Sequence, residues 1–115
     1  MSQYLFVYGT LRYHENNEMA RYLRANAEFY GNGSVNGTLI DLGGYPGIIT
    51  SASTHESVIG DVFKIENNEL FSILDEYERS WPLYGADAEY KRVEMNIQFK
   101  NTELICWVYL YNRPI

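Results

Sequence analysis

From Tyr90 to Phe99 the chain alternates apolar and polar residues, and after a two-residue break an apolar run leads to Tyr111; this stretch limits the fold more than any other. Tyr90, Arg92 and Glu94 stand against Val93, Met95 and Ile97 with the period of two that a half-buried strand requires. Glu103–Tyr111 forms the second strand, and Lys100-Asn101 is a natural hairpin turn between them. A hairpin this long must bury one face, so the remaining elements have to cover it.

The upstream elements read as short strands and short helices. Tyr4–Tyr8 is an apolar, aromatic and β-branched run that stops abruptly at Gly9. Met19, Tyr22 and Leu23 recur at helical spacing, which predicts a helix over Asn16–Asn26 with Asn16 or Asn17 as its cap. Gly31, Gly33 and Gly37 punctuate a strand-favouring segment that ends in the tight, shaped loop Asp41–Gly47. Ile48–Thr50 resumes extended structure, Ser51–Ser57 reads as a hairpin connection, and Val58–Ile65 alternates as the next strand. Leu70, Phe71, Ile73, Leu74 and Tyr77 predict a second helix over Asn67–Tyr77, followed by a loop from Ser80 to Ala88. About six strands and two helices, mostly joined by hairpin-length connections, indicate an α+β domain on a mostly antiparallel, barrel-like sheet.

Composition excludes several functions. At 115 residues the chain is expected to be a single domain over residues 1–115, burying roughly two-thirds of its unfolded surface. Nine Lys and Arg are scattered among fifteen Asp and Glu, a formal net charge of −6, whereas nucleic-acid binding needs clustered basic residues. There is no apolar stretch of membrane-spanning length and no signal-type segment before the first strand, so a cytoplasmic protein without membrane contact is expected. Cys106 lies within the apolar run Leu104–Val108 and is read as packed rather than reactive. His14 and His55 are far apart and lack partners at ligand spacing, so no metal site is expected.

Two stretches carry candidate chemistry. In Val7-Tyr8-Gly9-Thr10-Leu11-Arg12 a strand gives way to a glycine, after which consecutive backbone N–H groups can turn outward into a concave anion-binding nest. An ordinary strand end is the other reading of the same six residues. In Leu74-Asp75-Glu76-Tyr77-Glu78 three carboxylates gather at a helix end, where the macrodipole disfavours them. If Leu74 and Tyr77 face the core, Glu78 lies on or beside that face. A desolvated carboxylate there has a raised pKa and becomes a general base near neutral pH. A solvated helix-end acid is the plainer alternative, and Asp75 and Glu76 are read that way. Arg92 is read as an outward-facing strand residue, with partnership to a site carboxylate as the other option.

Taken together, Val7–Arg12, Leu42-Gly43-Gly44-Tyr45-Pro46-Gly47, Leu74–Glu78, Tyr90-Lys91-Arg92 and Trp107–Tyr111 resemble, in order and over nearly the whole chain, the gamma-glutamylcyclotransferase-like proteins. The likeness is strongest to the small branch that includes the gamma-glutamylamine cyclotransferases. The resemblance implies a small mixed barrel that takes a small-molecule gamma-glutamyl substrate and needs no cofactor. It implies that the α-amine of the substrate attacks its own γ-carbonyl, releasing 5-oxoproline and a free amine. The backbone of Tyr8, Gly9, Thr10 and Leu11 would hold the substrate, and Glu78, the last acid of its motif, would be the acid–base residue. Family members usually carry Gly directly after that glutamate, where this chain has Arg79. A side chain there is expected to alter the helix exit or narrow the site, which keeps a non-catalytic carboxylate-binding module on the same fold as the alternative.

Overall fold

A computed structural model describes residues 3–12, 14–50, 55–81 and 83–113, apart from the side chains of Thr10 and Trp81. The described residues form strands β1 (Gln3–Val7), β2 (Glu28–Asn36), β3 (Thr38–Asp41), β4 (Pro46–Ile49), β5 (Ser57–Ile65), β6 (Ser80–Trp81), β7 (Tyr90–Phe99) and β8 (Thr102–Tyr111). Helices α1 (Glu18–Asn26) and α2 (Glu69–Glu78) complete the set, with one 3-10 turn at Gly9–Leu11. The strand order β2-β5-β1-β8-β7 closes through pairing of β2 with β7, giving a five-stranded barrel. Only β1 with β8 among the barrel strands, and β6 outside on β7, run parallel. This is the mixed barrel with two short helices that the sequence predicts.

The long hairpin forms as expected. Lys100 and Asn101 both take positive φ, 47° and 65°, the geometry of a two-residue turn whose twist matches its strands. Asn17 caps α1 by accepting from the Ala20 amide at 2.8 Å, so the helix starts at Glu18 rather than Asn16. Ahead of α2 the Asn67 side chain accepts from the Glu69 amide at 3.0 Å, while Asn68 turns to accept from Gln3. Of the expected connection Ser51–Ser57, residues 51–54 lie outside the described residues, as does Pro82 in the loop after α2.

Gly31 and Gly33 lie within one strand, β2, and the break falls at Gly37, between β2 and β3. β2 runs through Gly31 and Gly33 because β7 closes against it: a Cβ at Gly33 would meet Ile97 at 2.8 Å, and one at Gly31 would meet the Phe99 ring at 3.0 Å. Register shifts between Phe29 and Gly31, a bulge that bends β2 at this closure. The core divides into two clusters. One, with Leu5, Leu23, Phe63, Phe71 and Leu74, joins the helices to the sheet. The other, with Phe6, Val35, Ile48, Val62, Ile97 and Val108, fills the barrel, and Cys106 packs in it with its thiol pushed up to about 12 by burial.

Candidate active site

β1 ends against a cleft of about 430 Å³. Phe6, Val7, Tyr8 and Leu11 form its floor, the β3–β4 hairpin contributes Tyr45 and Pro46, and the end of α2 contributes Tyr77, Glu78 and Arg79. Glu89, Tyr90 and Tyr109 complete the lining.

Two tyrosine hydroxyls fix the hairpin as a wall of this cleft. Tyr8 donates to the Tyr109 carbonyl and accepts from the Ile48 amide at 3.2 Å, which links β1, β8 and β4 through one oxygen. Tyr90 donates to the Pro46 carbonyl at 2.7 Å. Burial, and behind it the charge of Glu78, raises the pKa of Tyr8. For Tyr90 burial again leads, followed by the charge of Tyr8 and then Glu78. Both hydroxyls therefore remain protonated donors at neutral pH. The hairpin tip is closed by Asp41, whose carboxylate accepts from the Gly43 and Gly44 amides, both at 2.9 Å.

Glu78 reaches the cleft because α2 presents one continuous stripe inward. Leu70, Phe71 and Leu74 are buried, and Glu78 follows Leu74 by one turn on the same side. Tyr77 is not part of that stripe: it is 43% exposed and stands at the cleft rim, correcting the expected inward pair of Leu74 and Tyr77. Burial raises the Glu78 pKa from 4.5 to about 7, with the charge of Glu89 adding to the effect. Among the described residues none donates a hydrogen bond to its carboxylate, which is why desolvation is left uncompensated.

Arg79 closes α2 in the left-handed conformation, φ 53° and ψ 51°, with its amide directed at the Asp75 and Glu76 carbonyls. A glycine does this without strain, and a side chain does it at some cost. The helix still ends at Glu78, and Glu78 still lines the cleft, so the substitution leaves the helix exit in place. The Arg79 side chain is exposed and contributes to the rim.

The Gly9–Leu11 turn is split by the geometry. Tyr8 and Leu11 line the cleft with Glu78, whereas Gly9, at φ 74°, backs onto the hairpin, and a Cβ there would stand 2.6 Å from Pro46 Cγ. Gly9 and Arg12 face a separate, shallower recess. The Thr10 side chain lies outside the described residues, and its backbone lies within the turn.

These features can be placed beside known proteins. A family model described as gamma-glutamyl cyclotransferase, AIG2-like, matches residues 5–115. The chain belongs to this family. It is 31% identical over 110 residues to the gamma-L-glutamyl-butirosin B gamma-glutamyl cyclotransferase of Niallia circulans, covering 95% of this chain and 67% of that protein. It is 32% identical over 113 residues to a putative gamma-glutamylcyclotransferase of Vibrio cholerae, covering 96% of this chain and 84% of the relative. An AIG2-like protein of mouse has the same fold, with a TM-score of 0.75, 20% identity, and coverage of 95% of this chain and 76% of that one. YkqA of Bacillus subtilis also superposes at a TM-score of 0.75 with 23% identity, but this chain, 97% covered, spans only 36% of its length.

Within this cyclotransferase-family barrel two further residues are corrected. Arg92 does not face outward. Its guanidinium forks onto Asp75, 2.8 Å from Nε and 3.1 Å from Nη2, and lies 4.5 and 4.6 Å from the centroids of the Phe71 and Trp107 rings. Asp75 is accordingly not a solvated acid; it also accepts from the Tyr109 hydroxyl at 2.7 Å. Burial, followed by the bond to Asp75, raises the Tyr109 pKa. The pair thus ties α2 to β7 and β8 one turn before Glu78. A second buried cluster, in which Asp61 is 2% exposed, accepts from Arg12 at 3.2 and 3.3 Å and from Asn32 at 2.7 Å. It anchors the exit of the Gly9–Leu11 turn to β5 and β2. Glu89 carried no sequence signal, and Tyr45 and Tyr90 stood only within stretches of the family resemblance; the three meet in the cleft because the hairpin folds over β8. Among the described residues no group of three or more His, Cys, Asp and Glu is placed to hold a metal ion, and no helix is long and apolar enough to cross a membrane.

Proposed function

We propose that the protein is a gamma-glutamyl cyclotransferase acting on a gamma-glutamyl amine or amide, with Glu78 as its acid–base residue. The observation that carries this reading is the state of Glu78, an uncompensated carboxylate with a pKa near 7 in a cleft whose floor includes Tyr8 and Leu11. The family membership supports the same reaction type.

The backbone of the Tyr8, Gly9, Thr10 and Leu11 turn, which meets the cleft at Tyr8 and Leu11, holds the substrate's α-carboxylate, fixing the chain in a folded-back conformation. Glu78, ionised, takes a proton from the α-ammonium. The freed amine attacks the γ-carbonyl carbon, forming the ring C–N bond; the ring nitrogen sheds its extra proton to solvent, and the tetrahedral intermediate then breaks the bond to the leaving nitrogen. Glu78 returns its proton to that nitrogen. The products are 5-oxoproline and a free amine, with no change of oxidation state and no cofactor. Because the nucleophile is intramolecular, orientation accounts for much of the rate, and proton transfer by Glu78 contributes about 10² to 10⁴-fold. A pKa near 7 leaves about half of the enzyme in the ionised form at neutral pH.

Glu78→Gln tests this directly against a panel of gamma-glutamyl amines and dipeptides, with 5-oxoproline as the readout. The expected result is loss of turnover with 5-oxoproline binding retained by calorimetry. Turnover at the wild-type rate in the variant refutes the assignment, and binding without turnover in the wild-type protein identifies a carboxylate-binding module instead.

A further inference from the structure

The cluster around Asp75 lies beside the cleft, and its geometry bears on Glu78. Arg92 and Tyr109 are direct cross-strand partners in β7 and β8, so both side chains leave the sheet on one face and meet α2. The guanidinium packs on two aromatic rings, those of Phe71 and Trp107, and turns its bonding edge to Asp75. Oδ1 of Asp75 accepts from Arg92 Nε and from the Tyr109 hydroxyl, and Oδ2 accepts from Arg92 Nη2. One carboxylate thus occupies two donors, one of them a cation. Arg92 and Asp75 are only 22% and 19% exposed, so water and salt screen their charges little.

Asp75 and Glu78 are three positions apart in α2, which makes them neighbours on the helix surface. Tyr109 belongs to both surroundings: it bonds Asp75, it lines the cleft with Glu78, and the charge of Glu78 acts on its hydroxyl. With Asp75 unable to accept, Glu78 is the next carboxylate on that side of the helix for Tyr109 to meet. Among the described residues the other groups around Glu78 give it no hydrogen bond. Tyr77 and Arg79 of α2 stand exposed at the rim. Tyr8 at the end of β1 and Tyr90 of β7 donate to the Tyr109 and Pro46 carbonyls. Tyr45 of the hairpin donates to Glu89 at 2.8 Å, and Glu89, with Arg113 at 3.7 Å, carries a charge of the same sign as Glu78.

We propose that Asp75 is a positioning residue for Glu78: by keeping the Arg92 cation and the Tyr109 hydroxyl on itself, it leaves the Glu78 carboxylate basic enough to take and return a proton. The role rests on the cyclotransferase reading and adds to it the group that sets the strength of the base. The two charges of the pair act on Glu78 with opposite sign, and Asp75 supplies their cancellation. Removing the Asp75 charge leaves a lone cation that favours ionised Glu78. Removing the Arg92 charge leaves a lone carboxylate that disfavours it.

The experiment follows 5-oxoproline release from the panel of gamma-glutamyl amides as a function of pH in Asp75→Asn and Arg92→Gln. In the wild-type protein the acid limb of kcat/KM should lie near pH 7. It should fall by about one pH unit in Asp75→Asn and rise by a similar amount in Arg92→Gln. A tie that only holds the helix in place lowers the folded fraction or the rate at every pH and leaves both limbs where they are. Unmoved limbs, or limbs that move together in one direction, overturn the proposal. Arg92→Gln keeps the Tyr109 bond to Asp75, and it carries the test by itself where Asp75→Asn does not fold: a raised limb supports the proposal, and an unmoved or lowered one overturns it. Failure of the cyclotransferase reading looks different, because the wild-type protein then releases no 5-oxoproline from any amide of the panel. NMR titration of the Glu78 carboxyl carbon, its signal identified by its loss in Glu78→Gln, decides the matter without turnover. Opposite shifts in the two variants support the role of Asp75, and a titration unmoved in both overturns it.

Discussion

Replacing Glu78 by Gln should stabilise the protein at alkaline pH while abolishing its activity. The folded pKa of Glu78, about 7, lies above the ordinary 4.5, so the folded state binds this proton more tightly than the unfolded state. Its contribution to stability is therefore fully present below about pH 4.5 and is lost as pH rises through 7. Each pH unit between the two values is worth about 1.4 kcal/mol, which sets a ceiling of about 3 kcal/mol for the penalty at pH 8. Because the cleft is open to solvent, a penalty of about 1–2 kcal/mol is the expected size. Glutamine is nearly isosteric and never ionises. The variant should match the wild-type protein near pH 4.5 and exceed it at pH 8 by about 4–8 °C in Tm. Urea denaturation at both pH values, with unchanged m, provides the free energies. A variant that is no more stable than wild type at pH 8, or whose advantage is the same at both pH values, would refute a desolvated carboxylate at this position.

The same ionisation governs activity: kcat/KM should fall about tenfold per pH unit below an acid limb near pH 7, whereas a limb near 4.5 would mean a solvated glutamate. Arg79→Gly should raise stability by about 1 kcal/mol, because only the arginine strains the left-handed position that ends α2. An unchanged denaturation midpoint would mean that the Arg79 side chain makes compensating contacts. Asp75→Asn removes the carboxylate that Arg92 and Tyr109 share, and should cost about 2–4 kcal/mol of stability, leaving a half-buried guanidinium without its charge partner. A loss below about 0.5 kcal/mol would place the pair among ordinary surface ion pairs.

Much of this fold was legible because it is local. The Lys100-Asn101 hairpin, the Asn17 cap and the helical spacing around Leu70 and Leu74 each depend on residues within one or two turns of one another. What was not legible depends on closure. Gly31 and Gly33 look like strand breakers until β7 is laid against β2, where side-chain atoms of Phe99 and Ile97 occupy the space a Cβ would need. Arg92 looks like an outward residue by alternation, since nothing in its own strand announces Asp75 seventeen positions upstream or the Phe71 and Trp107 rings beside it. Glu89 is one acid among fifteen in the sequence, and only the folding of the β3–β4 hairpin onto β8 brings Tyr45 to it. Glu78 was legible in part: its position one turn after Leu74 is local, but the absence of a donor among the described residues is tertiary.

That absence separates the three carboxylates at the end of α2. All three oppose the negative end of the helix dipole, so each has to be answered or tolerated. Asp75 is answered by the Arg92 fork and the Tyr109 hydroxyl, and Glu76 by the Tyr84 hydroxyl, which leaves both as elements that tie the helix to its neighbours. Glu78 has Leu74 one turn before it, a strained Arg79 immediately after it, and a second carboxylate, Glu89, in the cleft it faces. Each of these raises the cost of its negative charge or of the backbone that carries it. A chain selected for stability alone would neutralise that position with a single substitution. A carboxylate that must be ionised to accept a proton, yet weakly enough acidic to hold and return it, requires this uncompensated environment.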